Sequence, residues 1–195
     1  MFQIDQNFPQ FSLEAYFPEK DETGKLALKD FSGKWVVLLF YPADFTFVCP
    51  TELADIAGLY DEFKKMNAEV ISVSTDTVFT HKAWLETEQL LKDVKYSMAA
   101  DHNGMFSREL GIYNEEKGMA QRATFIIDPE GVLRSADIVA DAIGRSADDV
   151  NRKLKALVYV LAHPGKVCPV KWEENGTLTP SIKSAGKVYK QMKKD

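Results

Sequence analysis

The chain has 195 residues, 45% of them hydrophobic and 27% charged, with a formal net charge of −5. One full core fits that length, and the ordinary globular composition excludes disordered, collagenous and repeat classes. The acidic balance, with a sequence pI near 5.3, argues against a nucleic-acid surface, which needs a basic stripe.

Taken from the start, Phe11, Leu13 and Ala15 alternate with polar residues and predict a first strand or hairpin before Tyr16, with Thr23-Gly24 as a turn signal. Asp30-Phe31-Ser32-Gly33-Lys34 is a second turn cluster. It leads into Trp35-Val36-Val37-Leu38-Leu39-Phe40, an unbroken apolar run of the kind a central strand buried on both faces shows. Beyond it, Leu53, Ile56, Tyr60 and Phe63 recur on one face and predict a helix to about Met66, with Pro50 suited to the first helical position. Val70 to Ser74 is the next strand. Thr80 to Lys92 carries a helical pattern with His81, Trp84 and Leu85 on one side, and Tyr96 to Ala100 a short strand. Met105, Phe106 and Leu110 predict a brief helix ending at Gly111. Ala123 to Ile127 is another buried strand, and Asp128-Pro129-Glu130-Gly131 turns it into an antiparallel partner over Val132 to Val139. Ser146, followed by Asp148 and Asp149, opens a helix whose core face is Val150, Leu154, Leu157, Val158 and Leu161 and which stops at His163-Pro164-Gly165. The order β-α-β-α-β-β-α predicts an α/β layered domain of thioredoxin-like arrangement over residues 1–162. Residues 163–195 lack clear periodicity and are expected to form a C-terminal arm. Its Lys183, Lys187, Lys190, Lys193 and Lys194 read as a solvated basic face.

No run approaches the roughly 20 apolar residues of a membrane span, and Met1 to Leu13 holds no basic segment followed by an apolar stretch. The expected location is the cytoplasm. The match Asn175-Gly176-Thr177 to a glycosylation acceptor then reads as chance, and Asn-Gly as a turn. In a reducing compartment the two cysteines are expected to serve catalysis or sensing rather than as a permanent staple.

Cys49 stands where the strongest strand gives way to a helix. Unpaired N–H groups and the positive end of the helix dipole favour an anion there, which makes a reactive thiolate the first expectation against an inert core thiol. Thr46 supplies a hydroxyl that the turn can direct at the sulfur or at a bound substrate, and Pro42 fixes the loop and limits water. Ionisation alone does not make an enzyme. An ordinary thiol is a few per cent ionised at pH 7, so full ionisation gains roughly thirtyfold, about 2 kcal/mol, where useful catalysis needs about 8 kcal/mol or more. The rest must come from polarising an electrophile beside the sulfur, which calls for hydrogen-bond donors and a cation. Arg122, next to a buried strand, is the candidate, although by itself it reads as a solvated charge at a strand end. His81, His102, His163 and the two cysteines have no metal-ligand spacing, and no nucleotide-binding glycine motif or Gly-x-Ser-x-Gly occurs, so no metal or cofactor is implied.

The stretch Phe40-Tyr41-Pro42-Ala43-Asp44-Phe45-Thr46-Phe47-Val48-Cys49-Pro50-Thr51-Glu52 resembles the peroxidatic signature Pro-x-x-x-Thr-x-x-Cys of the typical two-cysteine peroxiredoxins, and within them the bacterial alkyl hydroperoxide reductase C group. Ser72 to Asp76, His81-Lys82-Ala83-Trp84, Arg122 to Asp128 and His163 to Pro169 are similar to that family in the same order, so the resemblance spans nearly the whole chain. It implies a thioredoxin-like fold of the peroxiredoxin type with an N-terminal hairpin extension, and a thiol-dependent peroxidase acting on hydrogen peroxide and organic hydroperoxides. Cys49 is then the peroxidatic cysteine, Pro42, Thr46 and Arg122 shape the pocket, and Glu52 and Trp84 support Arg122 and the helix. The resemblance further implies that the Cys49 sulfenic acid is resolved by Cys168 from the other protomer of a dimer, as an intersubunit disulfide. It implies a decamer of five dimers, and a dithiol protein or flavoprotein disulfide reductase as electron donor. A redox-sensing or chaperone-like assembly protein using the same thiol pair is the alternative. Neither the Gly-Gly-Leu-Gly insertion nor the C-terminal Tyr-Phe pair of overoxidation-prone members is present, since Leu91 to Asp101 has no glycine and Lys190 follows Tyr189. Relative resistance to overoxidation is therefore expected.

Overall fold

The computed structural model describes residues 2–173 and 176–192. Asn175 of the Asn-Gly turn, and Lys193 and Lys194 of the basic end, lie outside the described residues. The chain divides into two compact units, residues 1–147 and 148–195.

The first unit is built on a seven-stranded sheet. Its strands are β1 (Ser12–Phe17), β2 (Glu22–Ala27), β3 (Trp35–Phe40), β4 (Ala68–Ser74), β5 (Ser97–Ala100), β8 (Arg122–Ile127) and β9 (Leu133–Val139), in the order β2-β1-β5-β4-β3-β8-β9. The strands β3, β4 and β5 are parallel, as the helices between them require. The pairs β3–β8, β8–β9 and β1–β5 are antiparallel. This is the thioredoxin-like α/β arrangement expected from the order of elements, with the β1–β2 hairpin as the N-terminal extension. All six residues of β3 are buried, which at about 1.5–3 kcal/mol per large apolar side chain anchors the sheet on the strand that leads into Cys49. One face packs Phe8, Phe11, Phe40, Phe106 and Phe125 around Leu38, Ile71 and Val73.

Between the strands lie α1 (Cys49–Gly58), α2 (Tyr60–Lys65), α3 (Val78–Thr87) and α4 (Met105–Glu109). A small hairpin of β6 (Tyr113–Asn114) and β7 (Met119–Ala120), which the apolar pattern is too short to announce, precedes β8. Four expectations are corrected. Thr23-Gly24 is not the turn: both residues sit inside β2, opposite Tyr16 and Ala15. A 3-10 turn over Pro18–Lys20 and Asp21, at φ 49, reverses the chain instead. Gly24 has another use, because a Cβ there would lie 3.2 Å from the Phe17 ring. The helix after β3 is broken at Leu59 into α1 and α2, just after Gly58, the poorest helix former beyond its first turn. Its first residue is Cys49, with Pro50 second. The helix α3 starts at Val78, capped by the Thr77 hydroxyl, and ends at Thr87 before a 3-10 turn over Gln89–Leu91.

The second unit contains most of α5 (Ala147–Ala162), the arm, and α6 (Tyr189–Met192). On α5, Val150 and Leu154 are buried, Leu157 and Val158 half-buried, and Leu161 exposed. The arm folds onto α5. Tyr159 stacks on His163 with ring centroids 4.1 Å apart and lies 5.2 Å from the Trp172 ring, and Val167 bridges Leu178. Among the described residues no helix is long and apolar enough to cross a membrane.

Candidate active site

The loop between β3 and α1 is braced from beneath by a buried polar network. The Tyr41 hydroxyl donates to Asp44 Oδ1 (2.7 Å), and Asp44 Oδ2 meets His81 Nδ1 of α3 (2.8 Å). His81 Nε2 meets the Ala99 carbonyl (3.2 Å); a carbonyl can only accept, so that nitrogen carries a hydrogen. The Asp44 N–H donates to Asp76 Oδ2 (2.9 Å), which also accepts from the Ser74 hydroxyl (2.7 Å). Burial pushes the Asp44 carboxyl up from its ordinary value, with His81 pulling against it. Trp84 closes the side of the loop, its ring centroid 6.0 Å from Tyr41 and 6.2 Å from Phe45. Between the two pinned residues Asp44 and Thr46, Phe45 sits at φ 54, in the left-handed region. Pro42 is buried.

Thr46 differs in one respect from its expected part. Its hydroxyl donates to the Ala43 carbonyl (2.8 Å), so its proton is spent within the loop and its lone pairs are what it offers to a ligand.

Cys49, the first residue of α1, is wholly buried. Arg122 Nη1 points at it, donating to Sγ (3.2 Å) and to Glu52 Oε2 (2.6 Å). Arg122 is therefore not a solvated charge at a strand end. It is the first residue of β8, opposite Val139 of β9, and 4% exposed. Burial works against its charge, but the Cys49 sulfur and the Glu52 carboxylate outweigh that and raise its pKa above the ordinary guanidinium value. On its other edge, Nε donates to the Asp141 carbonyl (2.7 Å).

Arg145, from the loop after β9, completes the cluster. Its N–H and Nε both donate to Glu52 Oε1 (2.8 Å each), Nη2 to Oε2 (3.1 Å) and Nη1 to Thr124 Oγ1 (3.1 Å). Glu52, 2% exposed, thus lies between two guanidinium groups. Arg122 and Arg145 face Glu52, and the Asp141 carboxylate, 3.7 Å from Arg122 Nη2, is itself paired with Lys117, which leaves a surplus positive charge beside the sulfur that an anionic sulfur or a departing oxygen anion offsets.

The structure so brings Cys49, Glu52 and Arg122 together, places Pro42 and Thr46 in the loop that leads into Cys49, and sets Trp84 against that loop. Arg145, Asp141, Tyr41, Asp44 and His81 escaped the sequence. A lone loop arginine reads as solvated, and His81 only as part of a helix face. The one available signal was Asp44, a carboxylate inside an otherwise apolar and aromatic loop. Cys168 belongs to the second unit, half-buried, with Sγ 3.8 Å from the Ala156 carbonyl. Burial pushes its thiol up from the ordinary value. Both cysteines are free thiols.

Comparison with known proteins identifies the family. Residues 4–136 match the family described as AhpC/TSA. The chain is 50% identical over 161 residues to alkyl hydroperoxide reductase C of Salmonella typhimurium, covering 82% of this chain and 86% of that protein. It is 45% identical over 186 residues to the protein of that name from Escherichia coli, covering 95% and 98%. Among solved structures, Enterococcus faecalis AhpC superposes with a TM-score of 0.81 at 43% identity, covering 87% of this chain and all of the other. The reduced 2-Cys peroxiredoxin of Plasmodium vivax gives 0.84 at 31% identity, covering 88% and 90%. With the match spanning most of the chain in sequence and in backbone, the protein belongs to the AhpC/TSA family.

Proposed function

We propose that the chain is a thiol-dependent peroxidase, a peroxiredoxin that reduces hydrogen peroxide and organic hydroperoxides. The observation that carries this is the guanidinium of Arg122 set 3.2 Å from a buried cysteine sulfur at a helix N-terminus. In the first step the Cys49 thiolate attacks the terminal peroxide oxygen in line. The S–O bond forms as the O–O bond breaks, two electrons pass from sulfur to the peroxide, and an alkoxide or hydroxide leaves and takes up a proton. Arg122 stabilises that leaving anion, and the free lone pairs of Thr46 accept from the peroxide hydroxyl and orient it. Pro42 keeps water from the sulfur. Glu52, itself gripped by Arg145, fixes Arg122, and Trp84 holds the loop.

In the second step Cys168 attacks the sulfenic sulfur, a disulfide forms, and hydroxide departs as water. A dithiol protein or flavoprotein disulfide reductase then returns the two electrons. In this reading residues 1–162 are the peroxidase domain, residues 163–195 the arm that carries the resolving thiol, and the location is cytoplasmic. The disulfide joins two protomers, with five dimers forming a decamer. Two features support assembly: β9 is the terminal strand of the sheet, a place where another chain can pair, and Phe45, Phe47 and Phe79 stand exposed, Phe47 at 92%. The same exposed aromatics favour the second reading, a redox-sensing or chaperone-like assembly protein, and steady turnover of peroxide with a reductant tells the two apart. The decisive test is peroxide consumption with a non-reducing gel on wild type, Cys49→Ser and Cys168→Ser. A covalent dimer in wild type alone is expected, and unchanged consumption in Cys49→Ser would sink the proposal.

A further inference from the structure

Arg122 is held at both edges. A guanidinium is rigid and planar, so a constraint on one edge sets the direction of the other. The edge that reaches Cys49 is fixed by Glu52. The opposite edge, Nε with Nη2, meets Asp141, whose carbonyl accepts from Nε (2.7 Å) and whose Oδ1 lies 3.7 Å from Nη2. Asp141 in turn is tied by its Oδ2 to Lys117 Nζ (2.7 Å), which comes from the tip of the β6–β7 hairpin.

That hairpin is a firm mount. Arg108 grips Glu115 through Nε (2.6 Å) and Nη2 (3.0 Å) and lies 3.8 Å over the Tyr113 ring. At the tip, Asn114 Oδ1 accepts from the Lys117 N–H and its carbonyl from Gly118, a glycine at φ 69. A cavity of about 430 Å³ lined by Asn114, Lys117, Gln121, Arg122 and Asp141, among others, separates hairpin and loop, so at this point side chains rather than packed core span the gap.

We propose that Asp141, tied down by Lys117, is a positioning residue for the peroxide step, aiming Arg122 at the sulfur and at the oxygen that leaves it. This rests on the roles given above to Cys49 and Arg122. The Lys117–Asp141 pair is half-exposed, 50% and 47%, so it responds to salt where the buried Arg122–Glu52 pair does not. Hydrogen peroxide is neutral and undergoes no electrostatic steering, so a salt effect on its rate that disappears in Lys117→Ala is carried by this pair.

The test measures the second-order rate of Cys49 oxidation by hydrogen peroxide in the Cys168→Ser protein, where only the first step is read. Lys117→Ala and Asp141→Ala each slow it about two- to fivefold, the range of an exposed ion pair. Raising the salt from about 0.05 to 0.5 M slows the parent and leaves Lys117→Ala unchanged. The double exchange Lys117→Asp with Asp141→Lys restores the tie between hairpin and loop but sets a cation against Arg122, and it stays slow. Wild-type speed in either single variant, or full recovery in the double exchange, overturns the inference. Arg122→Gln, run beside them, separates the two claims: if it too retains full speed, the reading of the site falls, not merely that of Asp141.

Discussion

The two thiols of this chain sit in opposite surroundings. Cys49 is wholly buried, yet its neighbour is the guanidinium of Arg122, in a cluster where Arg145 and Lys117 balance the carboxylates of Glu52 and Asp141. Cys168 is only half-buried, yet the partner of its thiol is the Ala156 carbonyl (3.8 Å), which offers no positive charge, and burial raises its pKa. Depth is therefore a poor guide to the chemistry of a cysteine, and the sign of the charge beside it is the better one.

The contrast breaks most readily at the nucleophiles themselves. Cys49→Ser is expected to abolish peroxide consumption, while Cys168→Ser leaves a first burst of one peroxide per chain intact, as a stopped-flow trace with substoichiometric enzyme would record. Next comes the cation. Removing one donor from such a site costs about a hundred- to a thousandfold, so Arg122→Gln should slow Cys49 oxidation by that factor with alkylation of Cys168 unchanged. An equal loss at both thiols would mean that Arg122 holds the fold rather than the reaction.

Glu52→Gln sharpens the comparison from the side of stability. It leaves Arg122 and Arg145 buried without their carboxylate and should cost about 3–5 kcal/mol, read as a lowered denaturant midpoint. The resolving step is tested at Cys168. Only the thiolate attacks, so a raised pKa means that disulfide formation speeds up by up to about tenfold per pH unit through the neutral range and levels off only above the ordinary thiol value. Quenched-flow trapping of the sulfenic acid between pH 6 and pH 9 measures this, and a flat profile would contradict it. Mass spectrometry should also find little sulfinic Cys49 after modest peroxide.

Much of this was legible in the sequence because it was written in runs. The apolar stretch Trp35 to Phe40, the face of Leu53, Ile56 and Phe63, and the turn at Asp128 to Gly131 each repeat one signal several times. The site was half legible. Pro42, Thr46 and Cys49 share one loop, but Arg122 comes from β8, Arg145 from a loop after β9 and His81 from α3, and what joins them is the register of β3 against β8 and the seating of helices. Single polar residues carry no periodicity, so burial alone tells a paired arginine from a solvated one. Thr23-Gly24 failed for the converse reason: a glycine that makes room for the Phe17 ring looks, in sequence, like a glycine that makes a turn.

The left-handed Phe45 gives the catalytic loop a mechanical property. A residue with a side chain at φ 54 stores about 1–2 kcal/mol, and it is kept there by the hydrogen bonds of its two neighbours, Asp44 to Asp76 and Thr46 to Ala43. In the first turn of α1 Pro50 donates no hydrogen bond, and the Val48 carbonyl accepts from the Thr51 and Glu52 N–H groups and from the Thr51 hydroxyl (2.6 Å). The loop is thus a loaded spring, latched by these bonds and by the grip on Glu52. In the proposed reaction, oxidation of the sulfur disturbs its contact with Arg122, and the torsional energy stored at Phe45 lowers the cost of moving Cys49 out of its pocket.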